Sequence, residues 1–76
     1  MIFLKLKEGS VNIQNIDMVF HGTERRGDDV KQILVFQKYN GDMESFQIHP
    51  EDIQELEMRQ MLSFSVMNDI KKALAE

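Results

Sequence analysis

Apolar and polar residues alternate at the start of the chain. Ile2, Leu4 and Leu6 share one parity, and residues 3, 5 and 7, which are Phe, Lys and Lys, share the other. A period of two residues is typical of a strand that buries one face and exposes the other. We therefore predict a first strand over residues 2–7.

The pattern continues as a series of short extended segments. A turn is expected at residues 8–9, and alternation returns over 10–13, so the chain should begin with a β-hairpin. The polar residues 14–15 suit a corner, and 16–20 is predicted as a third extended segment. Residues 22–29, with the sequence GTERRGDD, are predicted to be a polar loop.

A second hairpin is the clearest signal in the sequence. Two apolar runs flank Asn40-Gly41, the pair that favours a two-residue type I′ turn. Such a turn would set Val35 opposite Phe46 and Ile33 opposite Ile48 on one face of the hairpin.

The other face of this hairpin would carry Leu34, Phe36 and Met43. Because both faces are then partly apolar, one should lie on the core and the other beneath a helix or a partner protein. The pattern favours neither cover. We expect the face of these three residues to be a partner-binding surface, and a homodimer is one way to bury it.

Two periodicities compete after residue 49. Pro50, followed by acidic residues and by Ile53 and Leu56, favours a helix start. Alternation over residues 56–66 favours strands, so 50–62 stays open between helix and strand, with strand preferred over 61–66. Residues 66–74 have helical spacing and predict a C-terminal amphipathic helix, for which Ser65 can serve as the cap.

These elements predict one α+β domain over residues 1–76. We expect a small antiparallel β-sheet or a partly open β-barrel of five to six short strands, with the C-terminal amphipathic helix. The chain has no cysteine, so packing must supply its stability. No segment has the apolar length of a secretory signal or a membrane span, so a cytoplasmic protein without membrane contact is expected.

Charge is concentrated in one part of the chain. The net charge is −4, and residues 42–57 hold six acidic side chains and no basic one. An unopposed acidic strip repels nucleic acid, and it either keeps the protein soluble or attracts a basic partner. With the apolar hairpin face it predicts a non-enzymatic adaptor or inhibitor that binds another protein. Its acidic contact residues would be Glu51, Asp52, Glu55 and Glu57.

Catalytic chemistry has little support in the sequence. His21 and His49 are the nominal acid–base residues, but neither lies in a motif with a nucleophile or a second imidazole. Asp17 and Asp42 are too scattered along the chain for a metal site to be inferred from their spacing. We expect no enzyme activity, cofactor or metal.

A coarse resemblance supplies an alternative. The order of a strand, a corner with Ile16, a strand, a hairpin and a helical end resembles LytTR DNA-binding domains and FlbD-type flagellar regulators, and also small pleckstrin-homology-like barrels. The resemblance covers about residues 2–58 and includes none of the polar residues that those families use. It implies a nucleic-acid-associated regulator, whose local basic patch would consist of Arg25, Arg26, Lys31 and Lys38.

Overall fold

The computed structural model describes residues 2–75, which form five strands and two α-helices. The strands are β1 (Phe3–Leu6), β2 (Gly9–Asn12), β3 (Ile16–Arg26), β4 (Asp29–Lys38) and β5 (Met43–Gln47), and the helices are α1 (Ile53–Arg59) and α2 (Phe64–Ala75). The predicted α+β class, with antiparallel sheets and a C-terminal helix, is confirmed. Neither helix has the length and apolar character needed to cross a membrane.

The strands form two open antiparallel sheets. One pairs β1 with β2, and the other has the order β3-β4-β5. The prediction of a polar loop over 22–29 is wrong, because most of this segment continues β3 and begins β4. Arg26 lies opposite Asp29, and Gly27, with φ of +60°, takes the first central position of a two-residue turn. Polar residues are accepted in these strands because their backbone groups are paired across the ladder.

The register of the second hairpin differs by one residue from the prediction. Val35 lies opposite Ser45, and Leu34 lies opposite Phe46. A type I′ turn needs positive φ at both central residues, whereas Gly41 has φ of +93° and Asn40 is not in that region. The Asn40 side chain instead accepts a hydrogen bond from the Asp42 backbone at 3.0 Å. The result is a three-residue turn over 39–41.

This shift changes which side chains enter the core. Phe46 joins the face of Leu34 and Phe36, and its ring meets that of Phe36 edge-to-face, with centroids 5.8 Å apart. Phe46 also packs over Gly9, where an added Cβ would lie 3.0 Å from the ring. The absence of a side chain at Gly9 therefore lets the N-terminal hairpin approach the three-stranded sheet.

One buried cluster joins the two sheets and both helices. Its members are Leu4, Val11, Leu34, Phe36, Ile48, Leu56, Met67 and Ile70. The β1-β2 hairpin, α1 and α2 thus cover the inner face of the three-stranded sheet, on which Leu34 and Phe36 are fully buried. The sequence pattern left open whether a helix or a partner protein would cover Leu34 and Phe36. In the structure, helices lie over these two residues.

Residues 50–59 of the segment that sequence patterns left open are helical. A 3₁₀ turn over Pro50–Asp52 leads into α1, and Gln60 ends that helix in the left-handed conformation with φ of +52°. The strand predicted over 61–66 is wrong. Ser63 accepts a hydrogen bond from the Val66 backbone at 3.2 Å and thereby caps α2, in place of the predicted Ser65.

Asp52 links this helical segment to the first sheet. It is only 3% exposed, and its carboxylate accepts hydrogen bonds from the backbone of Lys7 and of His49, both at 2.8 Å. These contacts connect the β1-β2 turn to the start of the helical region. Asp52 therefore has a structural role.

Candidate functional site: the outer face of the three-stranded sheet

The strand register defines a second face of the β3-β4-β5 sheet, on the side away from Leu34 and Phe36. We call it the outer face. It consists of three rows across the strands, which are Met18, Gln37 and Met43, then Phe20, Val35 and Ser45, then Gly22, Ile33 and Gln47. None of its members carries a charge.

The apolar side chains of the outer face are open to solvent. Met43 is 60% exposed, Met18 is 53% exposed and Phe20 is 38% exposed, whereas Ile33 and Val35 are partly exposed. None of the five belongs to the buried core or packs against it. From strand spacing and rise, the whole face, with its polar members Gln37, Ser45 and Gln47, covers roughly 300 Å², and its apolar part is smaller.

The predicted apolar contact residues do not lie together. Leu34 and Phe36 are in the core, and Met43 lies on the opposite side of the sheet. The prediction of one common face was wrong because the turn contains three residues, and a shift of one position moves every side chain of a strand to the other side. The expectation that both faces would be apolar is confirmed by Val35 and Ile33.

Sequence reasoning missed the contribution of β3 to this face. Met18 and Phe20 alternate with Val19 and His21, and that alternation was a usable signal. What the sequence did not reveal is that β3 pairs with β4, which sets Phe20 directly opposite Val35.

The acidic strip is not a continuous acidic surface. Asp52 is buried and bonded to the backbone. Each of the other predicted acidic contact residues has a basic neighbour: Glu51 lies 3.4 Å from Lys7, Glu55 lies 3.3 Å from Arg59, and Glu57 lies 2.9 Å from Lys71. Folding thus brings bases from other parts of the chain to acids that are unopposed in the linear sequence.

A second apolar surface lies between the two helices. Leu56, Leu62, Phe64 and Met67 line a groove of about 310 Å³, and Phe64 is 82% exposed at its edge. The groove is open, and Glu57, Gln60 and Lys71 complete its lining. It lies in the helical layer, on the other side of the protein from the outer face.

The histidines are held by separate neighbours. His21 Nε2 lies 2.7 Å from the Gln32 side-chain oxygen, and His49 Nε2 lies 3.3 Å from a Glu8 carboxylate oxygen. Glu8 also accepts a hydrogen bond from the Gln47 backbone at 2.9 Å. That hydrogen bond, and secondly the contact with His49, hold the pKa of Glu8 below its usual value.

No metal-binding arrangement is found in the described part of the chain. Residues 2–75 contain no group of three or more His, Asp or Glu side chains that could hold a metal ion. Asp17, His21, Asp42 and His49 therefore do not come together as such a group.

The basic residues of the alternative hypothesis are interleaved with acids. Arg26 lies 3.0 Å from Glu24, which is also opposite Lys31 in the ladder, and Lys38 lies 3.8 Å from Glu44. A nucleic-acid surface needs basic charge that is not offset by neighbouring carboxylates. This arrangement gives the nucleic-acid alternative no local support.

Comparison with known proteins gives no relative from which a function could be transferred. No family model, no curated protein and no solved structure matches this chain. A functional assignment therefore rests on the geometry of the chain itself.

Proposed function

We propose that this protein is a small non-enzymatic protein–protein interaction module, an adaptor or inhibitor that binds a partner through the outer face. The observation that carries the proposal is a group of five apolar side chains on the uncovered side of the sheet, with no charge among them. The largest exposed apolar patch on a small protein is often a functional surface.

The composition of the face indicates the chemistry of its partner. Phe20 offers an aromatic anchor, and Met18 and Met43 have flexible side chains that adapt to different shapes. Gln37, Ser45 and Gln47 supply neutral hydrogen-bonding groups at the margin. A largely apolar partner surface fits this face, because no charge would have to be desolvated on binding.

The small area of the face sets an upper limit on affinity. A stable interface buries about 800 Å² on each partner, well above the roughly 300 Å² available here. We therefore propose a transient complex, unless a neighbouring surface extends the contact. The predicted acidic residues contribute less than the sequence suggested, since they lie beside bases of the same chain.

A paired substitution tests this function. We would capture partners from cell extract with the wild type and with the double variant Met18→Lys/Met43→Lys, and quantify them by mass spectrometry. Both side chains are exposed, so the variant should fold and should lose the partners that the wild type captures.

Met58→Lys is the matched control, because Met58 is 67% exposed on α1, in the helical layer. Its partners should be those of the wild type. Retention of every partner by the double variant, or equal loss with the control, would contradict a role for the outer face.

A further inference from the structure

Strand β3 is an edge strand of unusual length for so small a sheet. It runs for 11 residues and, within residues 2–75, pairs only with β4. Its second edge receives no hydrogen bond from any other element of that part of the chain. It contains neither proline nor lysine, although a β-bulge between Ile16 and Met18 and four charged residues, features that can also discourage edge pairing, lie toward its two ends.

The opposite edge of the sheet is protected. Strand β5 has only five residues, and the Glu8 carboxylate accepts the hydrogen bond of the Gln47 backbone there. The two edges thus differ in length and in the occupation of their backbone groups. A further strand would add to β3 more readily than to β5.

The hairpin geometry indicates which groups β3 presents at its free edge. Arg26 and Asp29 close a two-residue turn, and the residues that close such a turn exchange hydrogen bonds with each other. Alternate residues from Arg26 backward therefore direct their backbone groups to β4. The intervening residues, among them Val19, His21, Thr23 and Arg25, direct theirs to the free edge.

We propose that the occupant of this edge is β3 of a second copy of the chain, paired antiparallel about a two-fold axis at His21. In this register Val19 lies opposite Thr23 of the other copy, and Asp17, the extra residue of the bulge between Ile16 and Met18, lies beside Arg25. The second pairing joins opposite charges and occurs twice by symmetry. Within residues 2–75, neither Asp17 nor Arg25 has an ion-pair partner in its own chain.

Neighbouring registers lack this complementarity. With the axis at Phe20, Asp17 would lie opposite Thr23, and with the axis at Gly22, Arg25 would lie opposite Val19. If one strand slid by a single residue along the other, the outer face of one copy would lie beside the inner face of the other. The charges therefore select the axis at His21.

Pairing of this kind would produce one six-stranded sheet with a continuous outer face. Phe20 of each copy would lie beside Gly22 of the other, where no side chain intervenes. The area of the outer face, polar side chains included, would double to roughly 600 Å², closer to what a lasting contact needs. The pairing stands independently of the proposed function, because it involves the strand edge and not the outer face.

Charge exchange tests the register in solution. The dissociation constant of the dimer would be measured by analytical ultracentrifugation over a range of concentrations. Arg25→Asp should weaken the dimer about tenfold, since two attractive pairs become repulsive, and Asp17→Arg/Arg25→Asp should restore it. Arg26→Asp makes the same change in net charge at a residue that lies beside Glu24, and it should leave the dimer within about threefold of the wild type.

A cysteine at the axis gives a second, direct readout. The chain has no native cysteine, so His21→Cys introduces a single thiol. Paired residues of this kind have Cα atoms about 5.5 Å apart, which suits a disulfide, whereas two copies of Thr23→Cys would be separated by about 14 Å. Mild oxidation should link the first variant to itself and leave the second unlinked.

The proposal predicts a dimer that responds to both tests. A monomer at every concentration would overturn it, and so would equal cross-linking of the two cysteine variants. A dimer that is insensitive to the charge exchange but is lost in Met18→Lys/Met43→Lys would overturn it as well, because that result assigns self-association to the outer face.

Discussion

Substitution of Asp52 tests how far one buried carboxylate holds the helical segment against the first sheet. Its two oxygens accept separate backbone hydrogen bonds, from Lys7 in the β1-β2 turn and from His49 at the end of the sheet. Asp52→Ala removes both acceptors and leaves two backbone donors without a partner. Asp52→Asn keeps one acceptor and places an amide where the second was.

The expected loss follows from the number of hydrogen bonds. A hydrogen bond to a charged group contributes about 1.5–3 kcal/mol, and the freed donors are only partly buried, so water can reach them. We therefore expect Asp52→Ala to lower the free energy of unfolding by about 3 kcal/mol, and Asp52→Asn by about half of that. Small domains have only about 3–5 kcal/mol in total, so the alanine variant should be close to unfolded at room temperature.

Urea denaturation followed by far-ultraviolet circular dichroism measures these changes. Glu51→Ala is the control, because the neighbouring carboxylate is exposed and makes only a surface ion pair; its effect should stay below about 1 kcal/mol. A midpoint for Asp52→Ala within error of the control would refute the structural role given to Asp52.

Three further predictions concern local geometry and pH. Gly9→Val should lower stability by about 1–3 kcal/mol, since its Cβ would lie 3.0 Å from the Phe46 ring. Gly22→Ala should change stability by less than about 0.5 kcal/mol, and thermal melts compare the two variants. Gln60→Gly should raise stability by about 0.5–1 kcal/mol by relieving a left-handed backbone, which chemical denaturation measures, and a loss would contradict the strain. The lowered pKa of Glu8 stabilises the fold fully above about pH 4.5, and this contribution disappears as pH falls through the lowered value. Glu8→Gln should flatten that part of the stability–pH profile. An unchanged profile would contradict the contribution of Glu8.

The sequence predicted fold class and most elements because those depend on local periodicity. The strand alternation at Leu4 and Leu6 and the helical spacing near Ile70 are both found in the structure. The region around Ser63 was misassigned because alternation over 61–66 outweighed a capping serine, although only capping agrees with the helix that comes after it. Competing signals of this kind are decided by tertiary contacts, which a local pattern does not contain.

The candidate site was predicted less well than the fold. Its location depends on the register of one hairpin, and that register depends on whether Asn40 adopts positive φ. That backbone angle therefore decided which β5 residue shares the side of Leu34 and Phe36, which is Phe46 and not Met43. Which side of β4 is buried depends instead on the elements that pack against it, and a hairpin pattern does not contain them. The prediction of an unopposed acidic strip was wrong for a related reason. Lys7 and Lys71 are distant in sequence from Glu51 and Glu57 but lie next to them in space.

The long β3-β4 hairpin has a consequence for local unfolding. Ile33 is the last β4 residue in the ladder with β5, and Gln32 accepts one further backbone bond from Ile48, so beyond this point only two strands remain around Gly27. Amide protons should therefore exchange progressively faster toward the tip, without global unfolding. An inserted peptide or a fluorescent tag between Gly27 and Asp28 should therefore lower the stability of the fold only slightly. A tag at this position would report on opening of the hairpin and leave both faces of the sheet intact.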